Sequence, residues 1–383
     1  MHEDASVTGR CGGRYALSEA LRSSRADTLA TFAAYERALP DLTVPQRVDL
    51  NPPLWELGHL GWFQEYWVAR NPQRARGWHA DPDASRPAGV RTNADALYDS
   101  SHVPHDRRWS LPLPDADGTR DDLAQQLETT LTLLADTPDD ATGLYFHRLA
   151  LLHEDTHHEA ALYMAQALGV TIGDPRWQAQ PLPEPGVPIK LPPGRWRLGS
   201  DIEAGFAFDN ELGAHAVEVP ATTIDGQSVR WAEYLPFVEA GGAPPPRYLR
   251  REGRTWLRWQ GGRWQPLDQR LAACHLTHHE ARGWCRWAHR RLPTEAEWER
   301  AALTHPAAFR WGDVWEWTAS TFTPYPGFEP HPYRDYSLPW FDGRPVLRGA
   351  SFMTQPRMRC ARYRNYFPPL RSDVAAGFRS CAL

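Results

Sequence analysis

The stretch LYFHRLALLHEDTHHEAALYMAQAL (Leu144–Leu168) decides how the first half of the chain folds. Phe146, Leu149, Ala150, Ala160, Met164 and Leu168 fall on one face of a helix with the period of an amphipathic segment. His153 and His157 are four residues apart, so both imidazoles project from the face that carries Phe146, Leu149 and Met164. His158 lies about 100° further round and is expected to face away. A polar ring buried without partners costs on the order of 1–3 kcal/mol. Two such rings on one apolar face therefore call for a shared partner.

Upstream, a helix is expected after Asn51, a good N-cap, with Pro52 at the first helical position. It runs through WELGHLGWFQEYW to Arg70. Trp55, His59, Trp62, Phe63 and Tyr66 share one face by their spacing, which gives a third inward histidine. Two more amphipathic helices are expected over Tyr15–Leu39, ended by Pro40, and over Asp121–Asp136. Four such helices predict a four-helix bundle. The polar stretch Asn71–Arg120 is too long for a simple turn, and loops of that length often serve function.

The pattern changes at Gln180–Gly194, where six prolines forbid a helix. The division expected is a helical domain over 1–179, a Pro-rich linker over 180–194 and an α+β domain over 195–383. In the last, helices are expected at Thr277–His289 and Pro293–Leu303. The Trp- and Arg-rich RYLRREGRTWLRWQGGRW (Arg247–Trp264) is expected as an inserted β-hairpin with Gly-Gly at its turn.

The chain has 383 residues, enough for two cores. Its 42% apolar and 23% charged residues are those of a globular protein and exclude wholesale disorder. No apolar run is long enough for a membrane span, and the first residues form no secretory signal. A net charge of −5 gives no electrostatic case for nucleic acid. The five cysteines are scattered and never in a CxxC, which fits a reducing cytoplasmic setting.

One divalent metal held by His59, His153 and His157 would explain all three rings. The pair also spells H-E-x-x-H, the zinc-protease signature with Glu154 as base, although no downstream third ligand is evident. Neutral imidazole suits zinc, copper, iron and nickel alike, so the residues alone leave the metal open.

GHLGWFQEYW (Gly58–Trp67) followed by HEDTHHEAALYMAQ (His153–Gln166) resembles the DinB-like iron-binding bundle of the ergothioneine-type sulfoxide synthases. GRWRLGS (Gly194–Ser200), FAFDNE (Phe206–Glu211), RLPTEAEWERAA (Arg291–Ala302), GDVWEWTAS (Gly312–Ser320), VLRGASF (Val346–Phe352) and GFR (Gly377–Arg379) are similar to the formylglycine-generating-enzyme fold, which is C-type-lectin-like. The resemblance covers nearly the whole chain. It implies Fe(II) on His59, His153 and His157, O2 as co-substrate, and oxidative joining of a chalcogen donor to hercynine (N,N,N-trimethylhistidine). It implies a tyrosine beside the metal as proton or electron donor, with Tyr333 and Tyr336 as candidates. RNYFPPLR (Arg364–Arg371) resembles the substrate loop, so Thr156, Asn365 and Tyr366 are expected as hercynine contacts, and Phe367, Arg371, Arg107 and Arg108 as further substrate-binding residues. Calcium sites in relatives of the second domain make Asp209, Asp313 and Glu316 candidate Ca2+ ligands.

Two departures matter. The cysteine pair of the formylglycine-generating enzymes is missing from RGASFMTQPRMRC, where Thr354 and Arg359 stand near those positions, so cysteine oxidation is excluded. Synthases that use γ-glutamylcysteine carry an acid where this chain has Phe367, and a phenyl ring cannot neutralise a donor's ammonium. With YDSSHVPHDRRW (Tyr98–Trp109), which contributes Tyr98, Ser100, Ser101, His102, His105, Arg107 and Arg108, these features resemble the selenoneine synthases. That resemblance implies a neutral selenosugar as donor. The alternative is a sulfur donor: γ-glutamylcysteine, cysteine or a thiosugar. A lectin-like carbohydrate-binding protein is the non-enzymatic alternative.

Overall fold

The computed structural model describes residues 2–383, with side chains from Ala5 onward. Helices α1 (His2–Cys11), α2 (Arg14–Ala38), α3 (Pro53–Gln64), the short α4 (Ala94–Tyr98), α5 (Ala116–Ala135) and α6 (Tyr145–Leu168) make up the first half. Of these, α2, α3, α5 and α6 form the expected bundle. A buried guanidinium ties the four together: Arg25 on α2 donates to Glu154 on α6 (2.8 Å), Gln64 on α3 (2.9 Å) and the Leu123 carbonyl on α5 (2.6 Å). Helix α3 starts one residue later than expected. Asn51 does not cap it; its side chain instead donates to Glu56 and accepts from Arg108. The end of α3 widens into a π-helical turn over Glu65–Ala69.

The second half holds strands β1 (Ile189–Leu191), β2 (Gly194–Leu198), β3 (His215–Val219), β4 (Thr222–Ile224), β5 (Leu249–Glu252), β6 (Thr255–Gln260), β7 (Arg263–Pro266), β8 (Arg290–Arg291), β9 (Trp315–Thr321), β10 (Pro345–Gly349), β11 (Asn365–Tyr366), β12 (Ala376–Gly377) and β13 (Cys381–Ala382). They form sheets of order β1-β4-β13-β8, β11-β10-β9-β12, β2-β3 and β5-β6-β7. Helices α8 (His278–Trp287) and α9 (Glu295–Thr304) stand where expected, each opened by a Thr-x-x-Glu capping box. Helix α7 (Trp231–Glu239), interrupted by Pro236, was not foreseen. The hairpin expected at Arg247–Trp264 is a three-stranded meander, and its second turn uses Gly261 and Gly262 at φ 55° and 76°, as a type I′ turn requires.

The Pro-rich segment 180–194 is docked along its length. Leu182 N–H donates to the Arg270 carbonyl, Glu184 pairs with Arg230, and Ile189–Leu191 is itself a sheet strand. Alternate apolar residues flanking Lys190 satisfy an edge position, which the prolines around them do not reveal. Helix α1 likewise leaves the bundle: Arg10 forms a buried pair with Glu211 at 2.8 Å. One apolar core therefore runs through both halves, from Trp55, Phe63 and Phe146 to Phe208, Trp315 and Phe378. Among the described residues no helix is long and apolar enough to cross a membrane, and all five cysteines are free thiols.

Candidate metal centre and its cavity

His59 projects from α3 and His153 and His157 from successive turns of α6. Their ring centroids lie 5.2 Å (His59–His153), 4.9 Å (His59–His157) and 4.4 Å (His153–His157) apart. One nitrogen from each falls within 4.8 Å of the others, and among the described residues this is the only group of three or more such side chains so placed.

The surroundings aim each ring. His59 Nδ1 donates to the Tyr98 carbonyl at 2.8 Å, which leaves Nε2 for the centre. The long loop thus holds a ligand through its backbone. Its Tyr98 side chain packs so closely on α3 that a Cβ at Gly58 would come within 2.3 Å of the ring. His157 Nδ1 donates to Glu56 at 2.7 Å. Burial would push the Glu56 carboxyl up, but the His157 ring and its hydrogen bond hold it at about 2, so the acceptor stays charged. His153 stacks on Phe63, with centroids 3.4 Å apart and planes 2° from parallel. Both its nitrogens are buried with no hydrogen-bond partner. Burial lowers the His59 ring to about 3 and drives His153 down as well, so both are neutral donors at physiological pH. Two partnered rings and one orphaned ring, all neutral or carboxylate-backed, fit a divalent metal such as Fe(II).

The zinc-protease arrangement is not present. Glu154 is turned away from the three rings and is 3% exposed in its pair with Arg25. His158 faces away as expected and meets Thr31 at 3.0 Å.

Beside His157 opens a cavity of about 260 Å³, lined by Thr156, Tyr336, Asn365, Tyr366 and Phe367 among others. The structure therefore brings five of the expected substrate and catalytic residues to one place. Thr156 donates to the Leu152 carbonyl, leaving its oxygen free to accept. Asn365 Oδ1 accepts from Tyr366 N–H at 2.8 Å, leaving the amide NH2 for a ligand. Tyr366 is pinned by stacking on Phe322 at 4.0 Å. Arg371 lies 5.1 Å from the Phe367 ring and is paired to Asp373. Tyr333 packs beside the metal centre, its ring 4.9 Å from Phe63 and 6.0 Å from His153. No hydrogen bond is made by its hydroxyl among the described residues, whereas the Tyr336 hydroxyl is engaged with Tyr363 at 2.6 Å.

Other expected residues lie elsewhere. In the 3-10 turn His105–Ser110, Arg108 turns inward, 3.9 Å above the Trp55 ring, and donates to Asn51; Arg107 turns outward and is exposed. Neither lines the cavity. Ser101 bonds Asp335, His102 pairs with Asp99 and His105 with the Leu50 carbonyl, so these three polar groups are spent on the protein. The calcium candidates do not converge. Glu316 is buried against Arg379, Asp313 pairs with Arg310, and Asp209 accepts from Ser337 and the His331 N–H.

Glu159 was missed. It shares the cavity face of α6 with Thr156, and it accepts from Ser351 (2.6 Å), Trp315 (2.7 Å) and Thr354 (2.9 Å). Burial pushes its carboxyl up, and these donors offset that in part. Its i,i+3 spacing from Thr156 was the available signal. Thr354, in the region where a formylglycine-generating enzyme has cysteine, is one of the groups that hold this carboxyl.

Comparison with known proteins agrees with both halves. Residues 176–312 match the sulfatase-modifying factor enzyme 1-like domain. The hercynine oxygenase of Mycolicibacterium smegmatis is 30% identical, with 86% of this chain and 90% of that protein covered. The chain belongs to the hercynine oxygenase family. The hercynine oxygenase of Mycobacterium tuberculosis is 29% identical over the same shares. A formylglycine-generating enzyme of Streptomyces coelicolor is 29% identical over 33% of this chain and 50% of its own length. The hercynine oxygenases thus match the bundle and the second domain together. These names carry hercynine oxygenation and no selenium chemistry.

Proposed function

We propose that this protein is an Fe(II)- and O2-dependent oxidoreductase that joins a chalcogen donor to an imidazole carbon of hercynine. The observation that carries the reading is the cluster of His59, His153 and His157 opening, through His157, onto the cavity lined by Thr156, Asn365 and Tyr366. Fe(II) on three imidazoles would leave coordination positions for O2 and the donor and would favour the anionic chalcogen. The aromatic walls of Trp315, Tyr363 and Tyr366 suit a trimethylammonium. The Asn365 amide and Thr156 hydroxyl offer polar contacts that orient the substrate, and orientation is itself a large part of the rate. Tyr333, with its free hydroxyl, is assigned as the proton or electron donor in preference to Tyr336.

Two donor readings remain, each with its own support. The relatives, named for hercynine oxygenation, favour the sulfoxide-synthase type, with γ-glutamylcysteine, cysteine or a thiosugar. Phe367 favours a donor without an ammonium group, because it puts an apolar ring on the cavity wall where an acid would be needed. A selenosugar, giving selenoneine, is the finer proposal on that ground. Anaerobic Fe(II) reconstitution, followed by hercynine, O2 and competing selenoglucose and γ-glutamylcysteine, separates the two by mass spectrometry. Equal or better turnover of γ-glutamylcysteine would overturn the selenosugar reading, and no coupling of any donor would overturn the enzyme assignment.

A further inference from the structure

A second cavity, larger than the one beside His157, lies elsewhere in the fold. It measures about 380 Å³ and lies between the end of α6 and the β5-β6-β7 meander, sharing no lining residue with the substrate cavity. Its walls are built tightly. Gly169 ends α6 at φ 76°, and a Cβ there would come within 2.9 Å of Gly262 Cα at the meander's turn. Gln166 on α6 and Trp259 on β6 exchange hydrogen bonds across the same seam.

Two polar groups on this wall lack partners. Arg258 on β6 is half-buried, its Nε is sequestered without a hydrogen bond, and its guanidinium pairs with no carboxylate among the described residues. That contrasts with Arg348, Arg364 and Arg379, which are buried with Glu299, Glu295 and Glu316 respectively. The Tyr248 hydroxyl is likewise buried and unpartnered. Beside it His275 is held at φ 62°, a conformation that non-glycine residues seldom adopt without a reason, with its ring 4.7 Å from that of Tyr248. The rest of the lining divides into an apolar part, with Leu162, Trp177, Trp231 and Met353, and a polar part dominated by glutamines, Gln260 among them.

A cation left without a counter-ion, facing a chamber of small-molecule size with an apolar wall beside a polar one, is the arrangement that takes an amphipathic anion. We propose that this cavity is a second ligand site, for a small organic acid whose carboxylate or phosphate meets Arg258 and whose aromatic or aliphatic body lies against the tryptophans. The site is independent of the hercynine reading.

The test is saturable binding to the full chain by calorimetry, with benzoate and phenyl phosphate as probes and benzamide and inorganic phosphate as controls. Benzoate or phenyl phosphate is expected to bind at least about tenfold more tightly than benzamide, which lacks the charge, and than inorganic phosphate, which lacks the body. The tighter of the two acids identifies the head group. Arg258→Gln is expected to weaken binding by about tenfold or more, and Arg258→Lys by less, with both variants keeping the wild-type circular dichroism. Absence of binding by both acids up to about 10 mM, equal binding of benzamide or of inorganic phosphate, or full binding by Arg258→Gln overturns the assignment. If Arg258→Gln does not fold, the Arg258→Lys comparison and the control ligands still decide.

Discussion

Glu56→Gln is the most informative single change near the metal centre, because it alters how one ligand is aimed without removing a ligand. Glu56 accepts from His157 Nδ1 at 2.7 Å, and its other oxygen accepts from Asn51. Both neighbours donate, and Arg108, also close, is a cation that favours the charged carboxylate. A glutamine has one acceptor oxygen, so satisfying His157 turns its NH2 toward Asn51, donor against donor. Loss of an outer-shell partner costs about 10–100-fold in metal affinity, or roughly 1.4–2.8 kcal/mol, and the donor clash places this case at the upper end. The assay is anaerobic competition for Fe(II) against a chromogenic chelator, with the melting temperature of the metal-free protein as a check on folding. Affinity within about twofold of wild type, at unchanged metal-free stability, would refute the aiming role of Glu56.

Three further outcomes follow from the geometry. Tyr333→Phe is expected to slow coupling by about 100-fold or more while leaving the KM for hercynine unchanged, because its hydroxyl bonds no other group; a comparable loss from Tyr336→Phe instead would transfer the role. Phe367→Asp restores an acid on the donor side and is expected to shift preference toward γ-glutamylcysteine by about tenfold in competition assays; an unchanged preference contradicts the account of that position. Asp209 is raised by burial to about 6, above its ordinary value, so the fold binds its proton more tightly than the unfolded chain does. Stability should therefore be greatest below pH 4 as far as this group is concerned and fall by up to about 3 kcal/mol as pH rises through 6, and Asp209→Asn should remove that fall in denaturant titrations.

The parts of the site that a sequence can show are those set by helical spacing. His153 and His157 are one turn apart on a face whose apolar partners are evident, and His59 lies on a face with Trp55 and Phe63; all three converge as that spacing requires. The bundle helices and the two capped helices of the second half were legible for the same reason, since periodicity and capping boxes are local. What was hidden is what depends on pairs distant in sequence. Glu56 and His157 are 101 residues apart, and no periodicity in α3 says which way a glutamate among apolar residues will turn. Glu159 is bonded by Ser351, Trp315 and Thr354, all of which come from the second domain. Arg107 and Arg108 looked equivalent in the sequence, and only the 3-10 turn separates them, one over Trp55 and the other into solvent. The Pro-rich segment reads as a linker because proline forbids helix, but proline is compatible with the extended edge strand that Ile189–Leu191 forms.

The claim on which the account stands is that His59, His153 and His157 grip one iron. X-ray absorption at the iron edge of the Fe(II)-loaded chain tests it most directly, with metal analysis alongside. One iron per chain with three imidazole nitrogens is expected, and loss of that signature in His153→Ala. Fewer than two imidazoles on the iron, or an unchanged spectrum and stoichiometry in His153→Ala, would contradict it.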